Sequence, residues 1–168
     1  MAKVRRIPLY ARDGHIRAYV LVDDGDLGQL NQWRWLLGGA GYAVRYEGPR
    51  PYRRMIYMHR HILGLDAGDT RHCDHENRDR LDNRRSNLRV APHGHADNRQ
   101  NQGVGPRNTS GFRGVTKRGN RWIAQAQLRG VTHYLGIFDA IEEADTAARF
   151  FRATQMPFSE DARSAERK

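Results

Sequence analysis

The run Gln102-Gly103-Val104-Gly105-Pro106-Arg107-Asn108-Thr109-Ser110-Gly111 most constrains how this chain can fold. Its glycines, proline and short polar side chains have little to bury and favour turns over regular structure, so it reads as a linker. It divides 168 residues into two stretches, of which only 38% of the residues overall are hydrophobic. That is too polar for one large core and sufficient for two small ones. No apolar run approaches the ~18–20 residues of a membrane span. Met1-Ala2-Lys3-Val4-Arg5-Arg6 leads into no apolar signal core, which predicts neither membrane insertion nor secretion. Cys73 is the only cysteine, which excludes an intramolecular disulfide and any zinc site needing two thiolates. A reducing, cytoplasmic setting fits.

The charge narrows the class of partner. Lys and Arg number 29 against 19 Asp and Glu, a formal charge of +10. Residues 1–106 hold 18 basic and 12 acidic residues, and residues 107–168 hold 11 and 7, so both stretches are basic. Only Lys3, Lys117 and Lys168 are lysine. The planar fork of arginine suits phosphate and guanine better than a point-like ammonium does, and such a chain points to nucleic acid. An arginine-biased solvated surface would give the same composition.

Residues 5–60 read mainly as β. Ile16, Ala18, Val20 and Val22 alternate with His15, Arg17, Tyr19 and Leu21, and Tyr52–Met58 is rich in β-favouring types. Asp23-Asp24-Gly25-Asp26 ends one strand and offers caps for a short helix through Leu27–Trp33. Trp33, Trp35, Tyr42 and Tyr46 read as core or sheet-face residues. After the linker, Phe112–Lys117, Arg121–Leu128 and Val131–Phe138 are β-like, separated by turns at Arg118-Gly119-Asn120 and Arg129-Gly130. Asp139 can cap a helix with Glu142 and Glu143 in its first turn and Arg149 and Arg152 toward its end. Its apolar positions Ile141, Ala144, Ala147, Ala148 and Phe151 follow helical spacing. Residues 159–168 read as a disordered tail.

Four polar stretches carry the chemistry: Met58-His59-Arg60-His61-Ile62-Leu63-Gly64-Leu65, then Cys73 to Asn83, then Ser86-Asn87-Leu88-Arg89-Val90-Ala91, and last Asp97-Asn98-Arg99-Gln100-Asn101. Adjacent strand residues face opposite ways, so Asp74 and His75 can cooperate only where a strand ends or bends. The turn-formers of Asn77–Asn83 supply such an end. A carboxylate with an amide oxygen suits Mg²⁺ or Mn²⁺, and a near-neutral imidazole can take a proton from water. Together these serve phosphodiester hydrolysis. His72, Cys73 and His75 offer a crowded zinc alternative, and Asp74-His75 opening a plain Asx turn is a third reading.

Residues 55–101 resemble the HNH endonucleases, above all the phage and intron-encoded homing type, through Asp74-His75-x-Asn77, Asp82-Asn83-Arg84, Asn87-Leu88-Arg89 and Asn98-x-x-Asn101. The resemblance implies a ββα-metal core in a domain spanning 1–101, with Asp74 and Asn98 as ligands of one Mg²⁺ or Mn²⁺ ion. It implies His75 as general base and Asn87 as the asparagine that fixes the loop. His59 matches a recurrent histidine. Two departures stand out. Arg78 occupies the usual turn glycine, which predicts a left-handed Asn77. The segment from Pro92 to Asp97 is longer than usual and leaves Asn98, Asn101 and His95 open as the second ligand.

Residues 112–138 carry five basic side chains, Arg113, Lys117, Arg118, Arg121 and Arg129, and no acid. Gln125 and Gln127 share one strand face while Trp122, Ala124, Ala126 and Leu128 share the other. Ser110-Gly111-Phe112-Arg113-Gly114-Val115, Arg121-Trp122-Ile123-Ala124 and Tyr134-Leu135-Gly136-Ile137-Phe138 resemble the APETALA2/ethylene-responsive DNA-binding domain of plants. Relatives of that domain occur fused to HNH nucleases in phages and mobile elements. The resemblance implies a domain over 111–158, after a linker at 102–110, with DNA contacts at Arg113, Thr116, Arg118, Gln125, Gln127, Thr132 and Tyr134. Several of these are Thr, Gln or Tyr in place of the plant Arg or Trp, so the plant site preference does not transfer.

The expectation is therefore an α+β chain: a β-rich region with a ββα-metal site, then a three-stranded antiparallel sheet on one helix. It predicts a phage- or mobile-element-encoded nuclease in a bacterial cytoplasm. It would act as a monomer or homodimer on double-stranded DNA and leave 5′-phosphate and 3′-hydroxyl ends. The rival of another class is a DNA-binding regulator with a vestigial nuclease site.

Overall fold

The computed structural model describes residues 3–65 and 68–166, and two compact units account for them, 1–92 and 93–168. The architecture is mixed α+β. Among the described residues no helix is long and apolar enough to cross a membrane.

The first unit opens with β1 (Val4–Tyr10) and β2 (Ile16–Asp23), then α1 (Asp24–Leu30), β3 (Leu36–Leu37), β4 (Ala43–Glu47), β5 (Arg54–Tyr57) and α2 (Met58–Ile62). The five strands form one sheet in the order β2-β1-β3-β4-β5, with β1 and β3 parallel and the other neighbours antiparallel. A separate antiparallel ribbon joins β6 (His72–His75) to β7 (Leu88–Ala91). Period-2 alternation sends Ile7, Leu9, Val20, Val22 and Ala43 into one core with Leu30, Trp35, Met58, Ile62 and Leu88. Trp35 is fully buried, and its indole N–H donates to the Leu30 carbonyl at 2.9 Å.

Ile16 departs from its alternation and is 49% exposed. Leu9 pairs with Ala18 but Tyr10 pairs with Ile16, so Arg17 is an extra residue in the ladder. Such a bulge reverses the faces beyond it. The helix expected over Leu27–Trp33 forms earlier, at Asp24–Leu30, and no acidic side chain caps it. Asp23 and Asp26 serve elsewhere: Asp23 accepts the Arg85 backbone N–H at 2.8 Å and Asp26 pairs with the Arg85 guanidinium at 2.7 Å.

The second unit begins with a short α3 (His95–Asn98) and a 3₁₀ turn at Arg99–Asn101. Its sheet follows: β8 (Val115–Arg118), β9 (Arg121–Leu128) and β10 (Val131–Phe138), antiparallel, with β9 central. Helix α4 (Ile141–Gln155) packs on it through Ala144 and Ala148, both fully buried against Val115 and Ala124. Small side chains let the helix lie close to the strands. Ala140, not Asp139, occupies the N-cap, and Asp139 instead pairs with Arg121 at 2.9 Å. The run from Gln102 to Arg107 is exposed and irregular, and it lies inside this unit.

Residues 159–168 are not a disordered tail over their described part. Glu160–Glu166 form α5, with Ser159 and Ala162 buried. Arg152 lies toward the end of α4, as its sequence position predicts, and is buried there. It pairs with Asp161 at 2.5 Å and donates to the Arg113 carbonyl at 2.7 Å. An unpaired charge there would be strongly destabilising, so α5 is fastened where the sequence looks merely polar.

Candidate active site

Asp74 and His75 close β6, where the ribbon gives way to the polar loop. Asp74 stands directly across from Arg89 of β7, whose guanidinium donates twice to Oδ2, at 2.9 and 2.6 Å. The loop is pinned by Asn87. Its Oδ1 accepts the Asn77 backbone N–H at 2.9 Å and its Nδ2 donates to the Asp82 carbonyl at 2.7 Å. Asn77 also donates to Asp82 at 2.9 Å, and Arg84 grips the same carboxylate at 2.6 Å. That grip holds Asp82 below the usual carboxylate range. The left-handed residue of the turn is Arg78 itself, at φ 66°, and not Asn77. The side chain at the position of the usual glycine accepts the strain because the bonds around it fix the backbone.

His75 is buried, and its Nε2 lies 2.8 Å from Oδ1 of Asn83. An amide oxygen accepts, so Nε2 carries the hydrogen and Nδ1 is the basic nitrogen. Burial pushes the His75 pKa below the ordinary value, against the Asn83 bond and the nearby carboxylates, so the ring is neutral at pH 7. The His59 ring meets that of His75 edge-on, with centroids 5.1 Å apart. Burial, aided by repulsion from His75 when that ring is protonated and from Arg60, lowers its pKa to about 3. Tyr42 lies 5.0 Å from the His59 ring and 5.9 Å from that of His75, under the Arg80 guanidinium. Asn83 and Tyr42 are the members that sequence reading missed. Asn83 sits inside the Asp82-Asn83-Arg84 string, and that position was the available signal.

Cys73 is a protonated thiol, pushed up to about 12 by burial and then by the Asp74 charge. Among the described residues no three His, Cys, Asp or Glu side chains gather as metal ligands, so the zinc alternative finds no ligand group. Asp74 offers one carboxylate, a donor of the type a hard cation takes, while the amide oxygens of Asn83 and Asn87 are engaged by His75 and by the Asn77 N–H. Asn98, the ligand implied by the resemblance, ends α3 in the second unit and is half-buried. Of the alternatives, His95 is exposed, and Asn101 Oδ1 already accepts from Arg163 at 3.2 Å.

The expected DNA contacts fall mostly on one face of the β8–β10 sheet. Register pairs Tyr134 with Gln125 and Thr132 with Gln127, while Thr116 pairs with Ile123 and Arg118 with Arg121. Paired residues of an antiparallel ladder share a side, so Thr116, Arg118, Gln125, Gln127, Thr132 and Tyr134 point away from α4, and all six are exposed. Arg113 lies off this face. Its guanidinium donates to the carbonyls of Gln100 and Arg99, at 2.8 and 3.1 Å. It still lines a hollow of about 380 Å³ together with Gln125, Gln127 and Thr132. Gly114 beside it is at φ 80°, and a Cβ there would stand 2.2 Å from the Gln125 carbonyl oxygen. Comparison with protein-family models, with curated proteins and with solved structures finds no match to this chain.

Proposed function

We propose that the chain is a metal-dependent DNA endonuclease whose second unit reads the DNA. The observation that carries this is the buried, neutral His75, fixed by Asn83 beside Asp74 at the end of a ribbon whose loop Asn87 ties at both sides. A base of this kind can accept a proton from water at Nδ1 as the water attacks a phosphodiester phosphorus. Burial keeps the ring unprotonated for that task, and the Asn83 bond keeps it from rotating. Asp74 would hold Mg²⁺ or Mn²⁺, with Asn98 as the amide ligand the HNH resemblance adds. The bound ion supplies charge neutralisation at the phosphate and the leaving oxygen. On the β8–β10 sheet, Gln125 and Gln127 can each pair with adenine and Arg118 with guanine or a phosphate, within major-groove reach of a two- or three-stranded ribbon.

A supercoiled plasmid incubated with and without Mg²⁺ or Mn²⁺ tests the reading. Nicking is expected with metal only, and it should vanish in Asp74→Ala and His75→Ala. Extra Mn²⁺ should partly restore Asp74→Ala but not His75→Ala, since metal supplies no base. Asn98→Ala should behave as Asp74→Ala does. One observation favours the second reading, a DNA-binding regulator with a vestigial site: Arg89 already places two donors on Asp74. Metal-independent binding with no nicking under any ion would establish that reading instead.

A further inference from the structure

The five-stranded sheet has a second face that the candidate site leaves unused. Pairing sets Tyr10 beside Leu36 and Leu36 beside Val44, and Tyr46 follows two residues on. These side chains therefore lie on the side opposite Leu9 and Ala43, which face the core. There Arg12, Arg34, Arg50, Arg53, Leu36 and Tyr46 wall a concavity of about 510 Å³, and no carboxylate lines it. The Arg34 guanidinium lies 4.4 Å over the Tyr10 ring and that of Arg53 lies 5.7 Å over the Tyr46 ring.

Seven arginines of this unit have acidic partners: Arg5 with Asp24, Arg45 and Arg54 with Glu47, Arg71 with Asp69, Arg84 with Asp82, Arg85 with Asp26 and Arg89 with Asp74. Arg12, Arg34, Arg50 and Arg53 form no ion pair among the described residues, and all four are exposed. Four like charges around one hollow repel each other, and only an anion relieves that. Four guanidinium charges around one open concavity exceed what a single small anion neutralises. A run of phosphates can neutralise them. Stacking on tyrosine also orders Arg34 and Arg53 before any partner arrives, which lowers the entropy cost of binding.

We propose that this face is a sequence-independent contact for a DNA backbone, separate from the reading face of β8–β10. The choice of duplex DNA as the polyanion rests on the function proposed above; the contact itself requires no cleavage chemistry.

The test uses the full chain in EDTA and two short duplexes of unrelated sequence, over a series of salt concentrations. The variant carries Arg12→Ser, Arg34→Ser, Arg50→Ser and Arg53→Ser. Affinity for both duplexes should fall equally, by at least about tenfold near 0.15 M salt. The log–log salt slope should become shallower by about 0.9 for each phosphate the variant no longer neutralises. Near-UV circular dichroism of Trp33 and Trp35 reports whether the variant is folded. If it is not, Arg50→Ser with Arg53→Ser, both just outside the paired strands, should give about half the change in slope. Unchanged affinity and slope in a folded variant would overturn the proposal. So would weakening on one duplex alone, which signals base reading. Loss of binding to phosphatidylcholine–phosphatidylserine vesicles with duplex binding intact would assign the face to a membrane surface and also overturn it. A wild-type protein that never nicks, while the variant still binds duplex more weakly, would remove the nuclease reading and leave this one standing.

Discussion

The β6–β7 ribbon and the β8–β10 sheet are both small antiparallel structures, but they place their polar side chains in opposite settings. At the end of the ribbon, Asp74, His75, Asn83 and Asn87 are buried, with Asp74 bonded to Arg89 across the ribbon, His75 to Asn83, and Asn87 to the loop. On the sheet, Thr116, Arg118, Gln125, Gln127, Thr132 and Tyr134 are exposed on one face. The difference follows from what each can do. Burial sets a protonation state and a rotamer, which proton transfer needs. Exposure leaves donors and acceptors able to meet a partner, as base reading on the proposed function requires.

His75→Ala tests that contrast most severely. Cleavage should fall by about 10²–10⁴-fold while duplex affinity stays near wild type, because a buried base transfers a proton and holds no DNA. Gel-shift and plasmid assays on the same preparation check both halves, and a parallel loss of affinity would erase the distinction. Gly114→Ala probes the scaffold of the sheet. A left-handed backbone and a Cβ pressed on the Gln125 carbonyl should cost about 3 kcal/mol in the second unit, seen as a lower Tm. An unchanged Tm would mean that the β8 entry can move aside.

Gln125→Ala should cost about 1–3 kcal/mol on the preferred duplex only, whereas Arg118→Ala, if it meets a phosphate, should weaken every duplex alike. Competition binding separates them, and uniform losses for both would reduce the sheet to a backbone contact. The most gradual effect concerns pH. His59 and His75 have folded pKa values below the ordinary 6.5, so the unfolded chain takes up protons first as the solution becomes more acid. The stability this neutrality confers is whole above about pH 6.5 and is lost on acidification, for His59 down toward about pH 3. Each histidine should contribute a slope of at most about 1.4 kcal/mol per pH unit. Urea titrations followed by Trp33 and Trp35 fluorescence in Trp122→Phe would measure it, and a flat profile between pH 6 and 4 would contradict buried neutral imidazoles.

Where the physics is local, the sequence was legible. Strands β9 and β10 occupy the residues their alternation predicts, and the alanine spacing of α4 marks the face that packs on them. What escaped depends on partners distant in the chain. Nothing near Ile16 announces that Arg17 will bulge and turn it outward. Asp139 has every local mark of a cap, yet Arg121 on a neighbouring strand claims it. In the candidate site, the order of Asp74, His75 and Asn87 was readable as a motif, whereas the Arg89 grip on Asp74 and the Asn83 bond to His75 needed three dimensions.

The pairing of Arg152 with Asp161 has a consequence for vectorial synthesis. A chain emerging from a ribosome folds as its segments become available, N-terminal units first. The first unit has all of its strands before residue 93 is made. The sheet of the second unit, by contrast, packs beneath a helix whose buried cation has no counter-charge until Asp161 emerges. A nascent chain halted between residues 152 and 160 would thus carry a finished ribbon with its Asp74-His75 pair and an unfinished β8–β10 sheet. The wiring of α5 delays completion of the β8–β10 sheet's packing until synthesis has passed Asp161.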